Sequence, residues 1–158
     1  MKILGIDPGT ATTGFGIIEI TPKNQPCLID AGIISTPPHT PLEDRLLEIY
    51  DSLQQIIKSS NPDAISIEKL FFNTNITTGI SVAQARGICM LAARQNNIKI
   101  YEYTPLQIKQ TLTGYGRAEK KQIQEMVRLH LSLASAPKPD DTADALAAAI
   151  THSLMSRK

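Results

Sequence analysis

The chain opens on an apolar run, Ile3-Leu4-Gly5-Ile6, inside a segment 2–8 that reads as a β-strand. Segments 14–20 and 27–35 read as two further strands, the first joined through Pro8-Gly9-Thr10, so the chain begins as an antiparallel meander. Pro37-Pro38-His39-Thr40-Pro41 breaks this pattern. Then Leu42, Leu46, Ile49, Leu53, Ile56 and Ile57 recur at helical spacing until Asn61-Pro62-Asp63. A short apolar strand follows at 64–68. Strand, helix, strand needs a crossover, which sets this strand parallel to the first. Residues 76–96 read as a helix with Ile76, Ile80, Ala83, Gly87 and Leu91 as one stripe. Gly79 and Gly87 suggest close approach of another helix, from within the fold or from a second subunit. Residues 98–103 alternate as a fifth strand. Thr104-Pro105 starts a short helix, Thr113-Gly114-Tyr115-Gly116 is a loop, and helices at about 118–131 and 141–156 end the pattern. The sum is an α/β layer fold in one domain, residues 1–158.

Composition alters this picture little. Apolar content of 42% and charged content of 20% are ordinary for a globular domain of 158 residues. No apolar stretch approaches the roughly 18 residues that span a bilayer, and the N-terminal run is too short for a signal peptide. Cys27 and Cys89 lie in apolar segments without metal spacing and read as buried thiols of a reducing cytoplasm. His39, His130 and His152 have no ligand spacing; His152, on the last helix, reads as structural.

Charge distribution says more. Residues 1–70 hold five Lys/Arg and nine Asp/Glu, a net −4; residues 71–138 hold nine and three, a net +6; residues 139–158 hold two and three, a net −1. A basic middle third suits a protein that holds a polyanion beside an acidic cluster. Arg86, Arg117 and Lys121 are its candidates for phosphate contact, though each suits a solvated surface equally.

Four acids stand where an ionised group is out of place. Asp7 ends the first strand, Glu68 ends Ala64-Ile65-Ser66-Ile67, and Asp141 and Asp144 open an otherwise apolar helix. Burying an unpaired carboxylate costs several kcal/mol or forces it to take up a proton. A hard divalent cation is the natural partner for such a set. Singly, Asp7 suits a turn before Pro8-Gly9, and Asp141 or Asp144 suits a helix cap or first-turn acid. Asp140 reads as the cap, because Asp141 has the three-residue spacing to Asp144. Asp7-Pro8-Gly9-Thr10 also fits the phosphate loop of actin-like and sugar-kinase-like ATPases, which need two such domains around a nucleotide cleft. Two alternatives resemble the chain in fold. One is a non-catalytic junction- or RNA-binding protein of the YqgF type, against which the presence of all four acids argues. The other is an RNase H or transposase-like nuclease, against which the segments from Gln84 to Lys120 argue.

Six segments in order carry a resemblance: Leu4-Gly5-Ile6-Asp7-Pro8-Gly9-Thr10, Ile67-Glu68-Lys69-Leu70-Phe71, Gln84-Ala85-Arg86-Gly87, Ile108-Lys109-Gln110-Thr111, Ala118-Glu119-Lys120 and Asp141-Thr142-Ala143-Asp144-Ala145-Leu146-Ala147. The chain resembles the RuvC family of Holliday-junction resolvases over essentially its whole length. The resemblance implies an RNase H-like fold, a five-stranded mixed sheet with helices on both faces. It implies a homodimer that cuts two strands of like polarity in a four-way DNA junction and works with a branch-migration helicase complex of the RuvA and RuvB type. It makes Asp7, Glu68, Asp141 and Asp144 the ligands of two Mg²⁺ ions, with Mn²⁺ as a substitute. Lys109 and Lys120 match the family's basic residues near the scissile phosphate. Phe71 matches a ring that stacks on an unpaired base, and the adjacent Phe72 is a second DNA contact or core residue.

Overall fold

The computed structural model of the chain describes residues 1–70 and 76–156. Strands β1 (Lys2–Asp7), β2 (Thr12–Ile20) and β3 (Pro26–Ser35) lead into helix α1 (Leu42–Ser60). Strand β4 (Ala64–Glu68), helix α2 (Ile76–Gln95), strand β5 (Lys99–Tyr103) and helices α3 (Pro105–Thr113), α4 (Lys120–His130) and α5 (Asp140–Met155) follow. The five strands form one sheet in the order β3-β2-β1-β4-β5. β1 pairs antiparallel with β2 and parallel with β4, and β4 pairs parallel with β5, so the sheet is mixed as expected.

Strand parity sorts the side chains between two cores. Leu4, Ile6, Ile17, Ile65 and Ile67 face α1 and α2 in one apolar cluster. Ile3 and Ile18 face the other way, in a cluster with α3, α4 and α5. On that second face the sheet is nearly bare where α5 crosses it. A Cβ on Gly5 would stand 1.9 Å from the Ala145 carbonyl oxygen, one on Gly14 2.0 Å from that of Asp141, and one on Gly16 2.5 Å from Leu146 Cδ2. α5 answers with small residues, Ala143, Ala145, Ala147, Ala148 and Ala149, all buried. The Ser66 hydroxyl, also buried, donates to the Ala148 carbonyl at 2.7 Å and pins β4 to the same helix.

Local signals set the remaining elements. Thr104 caps α3: its Oγ1 accepts from Gln107 N at 3.1 Å, its own N–H donates to Gln107 Oε1 at 2.8 Å, and Pro105 opens the helix. Gly114, at φ 74°, ends it. Buried His152 shares a hydrogen bond of 2.7 Å with the Tyr103 hydroxyl and stacks on Tyr101, the structural place expected for it.

Three expectations change. Cys89 is buried but Cys27 is exposed, because it lies on β3, the sheet's edge strand. The stripe of α2 points outward: Ile76, Ile80 and Leu91 are exposed, while Ala85, Cys89, Ala92 and Ala93 are buried. Nothing lies within 4 Å of a Cβ on Gly87, so its smallness serves no contact among the described residues. A fourth expectation changes as well, that no apolar stretch approaches the length that spans a bilayer. By length and composition α2 is long and apolar enough to do so, while its face of Ala85, Cys89, Ala92 and Ala93 packs in the core.

Candidate active site

Asp7 and Glu68 reach the site by the same rule. Asp7 shares the parity of Ile3 and Gly5, and Glu68 that of Ser66, so both carboxylates leave the sheet on the α5 side. The parallel register Ile6↔Ile67 sets the two acids level at the carboxyl ends of β1 and β4. Gly14 is the cross-strand partner of Asp7, and it is Gly14 that touches the Asp141 backbone. The first turn of α5 is therefore seated beside Asp7. Four helical residues rise about 6 Å and two strand residues about 6.6 Å. Asp141 thus stands over the Asp7 level while Ala145 stands over Gly5. Asp144, three residues on, projects from the same turn.

The electrostatics report this crowding. Burial pushes the Asp7 carboxyl up from 3.8 to about 8, helped by the charges of Asp144, Asp141 and Glu68 and by a carboxyl–carboxyl hydrogen bond with Asp141. Burial also raises Glu68, with the Asp144 charge adding to it, while Lys109 and Lys120 pull it back. Asp144 is raised by burial against the opposing pull of Lys120. The four acids are neighbours without a closed ligand shell: among the described residues no three His, Cys, Asp or Glu side chains surround one point as a ready metal cage.

Two clefts meet at the acids. One, of about 220 Å³, is bordered by Glu68, Asp144, Lys109 and Lys120. The other, of about 370 Å³, is bordered by Asp7, Glu68, Asp144, Lys69 and Arg86. Lys120 Nζ bridges Asp140 at 3.1 Å and Asp144 at 3.3 Å. Burial alone would lower the Lys120 ammonium, but its hydrogen bond to Asp140 and the Asp144 charge raise it.

Asp140 is not the cap that its sequence position suggests. Pro139 occupies that place, and Asp140 is the first helical residue. Its carboxylate accepts from Gln124 Nε2 at 2.9 Å and holds Lys120, tying the start of α5 to α4. Arg86 is committed to an ion pair with Glu102 of β5. Arg117 and Lys121 are exposed and border neither cleft. Phe71 and Phe72 lie outside the described residues. From sequence, Lys69 and Glu102 carry no assigned role; the signal for Lys69 is its place directly after Glu68, inside the segment Ile67-Glu68-Lys69-Leu70-Phe71.

An acid-lined crevice at the carboxyl ends of β1 and β4, closed by a helix lying on the sheet, is the architecture of the RNase H-like proteins. The RuvC family model, described as crossover junction endodeoxyribonuclease RuvC, matches residues 3–152. A crossover junction endodeoxyribonuclease RuvC of Desulfitobacterium hafniense is 55% identical over 152 residues, 96% of this chain and 92% of that protein. The Thermus thermophilus RuvC structure superposes with a TM-score of 0.93 at 33% identity, covering 99% of this chain and 96% of that one. The same Thermus protein in complex with Holliday junction substrate gives 0.94 at 33% identity, covering 99% and 95%. The chain belongs to the RuvC family of crossover junction endodeoxyribonucleases.

Proposed function

We propose that the protein resolves Holliday junctions by metal-dependent hydrolysis of two phosphodiester bonds, one in each of two strands of like polarity. The observation that carries the reading is a pair of adjoining clefts bordered by Asp7, Glu68 and Asp144, with Lys109 and Lys120 on one flank. Asp141 borders neither cleft but lies near enough to Asp7 to raise its carboxyl. Family membership supports the substrate, since the Thermus relative is described in complex with Holliday junction substrate. The donor set is all carboxylate oxygen, which fits hard divalent cations, Mg²⁺ with Mn²⁺ as a substitute, two per site. When bound, they supply an activated water for in-line attack and stabilise the leaving 3′-oxygen.

The chain's own groups do the rest. Asp7, which burial favours in the protonated form, would give up its proton and, with Asp141, would hold the cations. Glu68 and Asp144 close the set from the neighbouring strand and helix. Lys109 and Lys120 hold the scissile phosphate and offset its developing charge. For Lys120 this means exchanging a carboxylate for a phosphate oxygen. Phe71 and Phe72 follow Glu68 in sequence and supply rings for an unpaired base. Arg117 and Lys121 meet the backbone further out. The reading includes action with a branch-migration helicase complex in the cytoplasm.

Incubating the protein with an end-labelled mobile four-way junction tests the reading. Symmetric nicks in two strands are expected in Mg²⁺ or Mn²⁺, and none in chelator. A wild-type protein that cuts nothing in either metal sinks it.

Cutting two strands needs two sites, and the exposed apolar stripe of α2 suits a homodimer contact. Ile80, Leu91 and open Gly87 give a face on which a second copy of α2 could lie closely. Sedimentation is expected to give a dimer at micromolar concentration and a folded monomer for Ile80→Glu. A wild-type monomer under those conditions rules the contact out.

A further inference from the structure

The two clefts share Glu68 and Asp144, so they are the two arms of one groove across the acids. A DNA strand laid along it carries a phosphate on each side of the one at the acids. Four carboxylates repel those neighbours, so each arm needs cations of its own. In the first arm the cations are Lys109 and Lys120, which reach from there to the scissile phosphate as well. In the second arm the cations are Lys69 and Arg86.

We propose that Lys69 and Arg86 form a second phosphodiester-binding wall, for a backbone phosphate next to the scissile one, and that Glu102 positions Arg86 in it. This rests on the proposed function, in which the crevice takes a DNA strand. Lys69 is exposed and in no ion pair among the described residues. Its backbone N–H donates to the Tyr103 carbonyl at 2.7 Å, which carries the β4–β5 pairing past Glu68 and fixes Lys69 at the groove's rim. Arg86 stands on α2 with its guanidinium paired to Glu102, and its buried Nε has no partner among the described residues. A guanidinium has five donor hydrogens in a rigid fork, so one carboxylate leaves donors free for a phosphate oxygen. Glu102 lies on β5, level with Ile67 of β4 and so one residue short of Glu68. Its side chain therefore leaves the sheet with that of Ile67, on the α2 face opposite the acids. There it holds the Arg86 fork at the wall of the second cleft, whose lining includes both Arg86 and Glu68.

Binding of a fluorescent four-way junction by the full chain, followed by anisotropy across a salt series in chelator, reads this wall without any cleavage. Lys69→Ala and Arg86→Ala are each expected to lower the slope of log affinity against log salt by about one per site. Lys99→Ala, at the far end of β5, leaves the slope unchanged. Glu102→Gln separates positioning from simple charge. Removing a surface acid near DNA tightens binding, whereas freeing Arg86 from its orienting partner weakens it, and weaker binding restored by Glu102→Asp is expected. Should Arg86→Ala fail to fold by circular dichroism, Lys69→Ala and Glu102→Gln carry the test. An unchanged slope for Lys69→Ala, or tighter binding for Glu102→Gln, overturns the proposal. Failure of wild type to cut a junction in Mg²⁺ is a separate result, which sinks the nuclease reading and leaves the slopes to judge the wall.

Discussion

Asp7→Asn is expected to lower junction cleavage by about 10³-fold or more, the scale for losing a group that acts in the transition state, while junction binding persists. The same substitution is expected to stabilise the fold in chelator at pH 8. Asp7 ionises near 3.8 in the unfolded chain and near 8 in the fold. Between those values the unfolded chain binds fewer protons, so stability falls as pH rises through the window. Each unit of displacement corresponds to about 1.4 kcal/mol before water penetration and side-chain relaxation reduce it. Asparagine has the shape of the protonated acid, can still hydrogen-bond Asp141, and has no charge to expel. Melting curves from pH 4 to 8 should show wild type losing stability toward pH 8 and Asp7→Asn holding steady. Mg²⁺ should raise the melting temperature of wild type more than that of the variant. Equal cleavage by Asp7→Asn removes Asp7 from the chemistry, and a lower melting temperature than wild type at pH 8 contradicts its electrostatics.

Gly5→Ala is expected to be the most damaging single methyl that the sheet can receive. Its Cβ would meet backbone, the Ala145 carbonyl, at 1.9 Å, and Ala149 Cβ at 3.0 Å. Overpacking a core costs about 1–3 kcal/mol and sometimes more. A rigid helix backbone as the obstacle puts Gly5→Ala at about 3 kcal/mol or above. Gly16→Ala should cost less, because it meets Leu146 side-chain atoms that can rotate. Gly14→Ala pushes on the Asp141 carbonyl at 2.0 Å and so moves an acid. It is expected to lose activity well beyond its loss of stability, with a higher metal requirement. Urea titrations that rank Gly16→Ala as the costliest of the three, or a Gly14→Ala protein with normal metal dependence, would refute this account of how α5 is seated.

Much of this is legible in the sequence, for identifiable reasons. Asp7 and Glu68 end strongly apolar strands, and period-two parity places them on one face with Gly5 and Ser66. Asp141 and Asp144 share a helix turn by spacing alone. The outward face of α2 is not legible. That helix is built from Ala, Gly, Thr and Ser with a few large apolar residues, so its buried side is lined by Ala85, Cys89, Ala92 and Ala93 while Ile76 and Ile80 lie outside. Size points one way and packing goes the other: α1 fills that face with Ile49, Leu53 and Ile57, and α2 buries mainly small residues beside them. Asp140 misleads because its acid does its work sideways, on Lys120 of another helix, which no local pattern records. The Arg86–Glu102 pair is likewise a contact between distant segments, one on α2 and one on β5.

The seating of α5 also bears on when the protein can act. During synthesis β1 emerges well before α5, yet α5 both covers the sheet and carries two of the four acids. Until Asp140–Met155 has left the ribosome, the glycine-lined face of the sheet has nothing to bury it. Contacts of such long sequence separation form late and only with the rest of the structure. On the proposed reading a half-made chain lacks two of the acids it would cut with, and competence would arrive in one step, with α5.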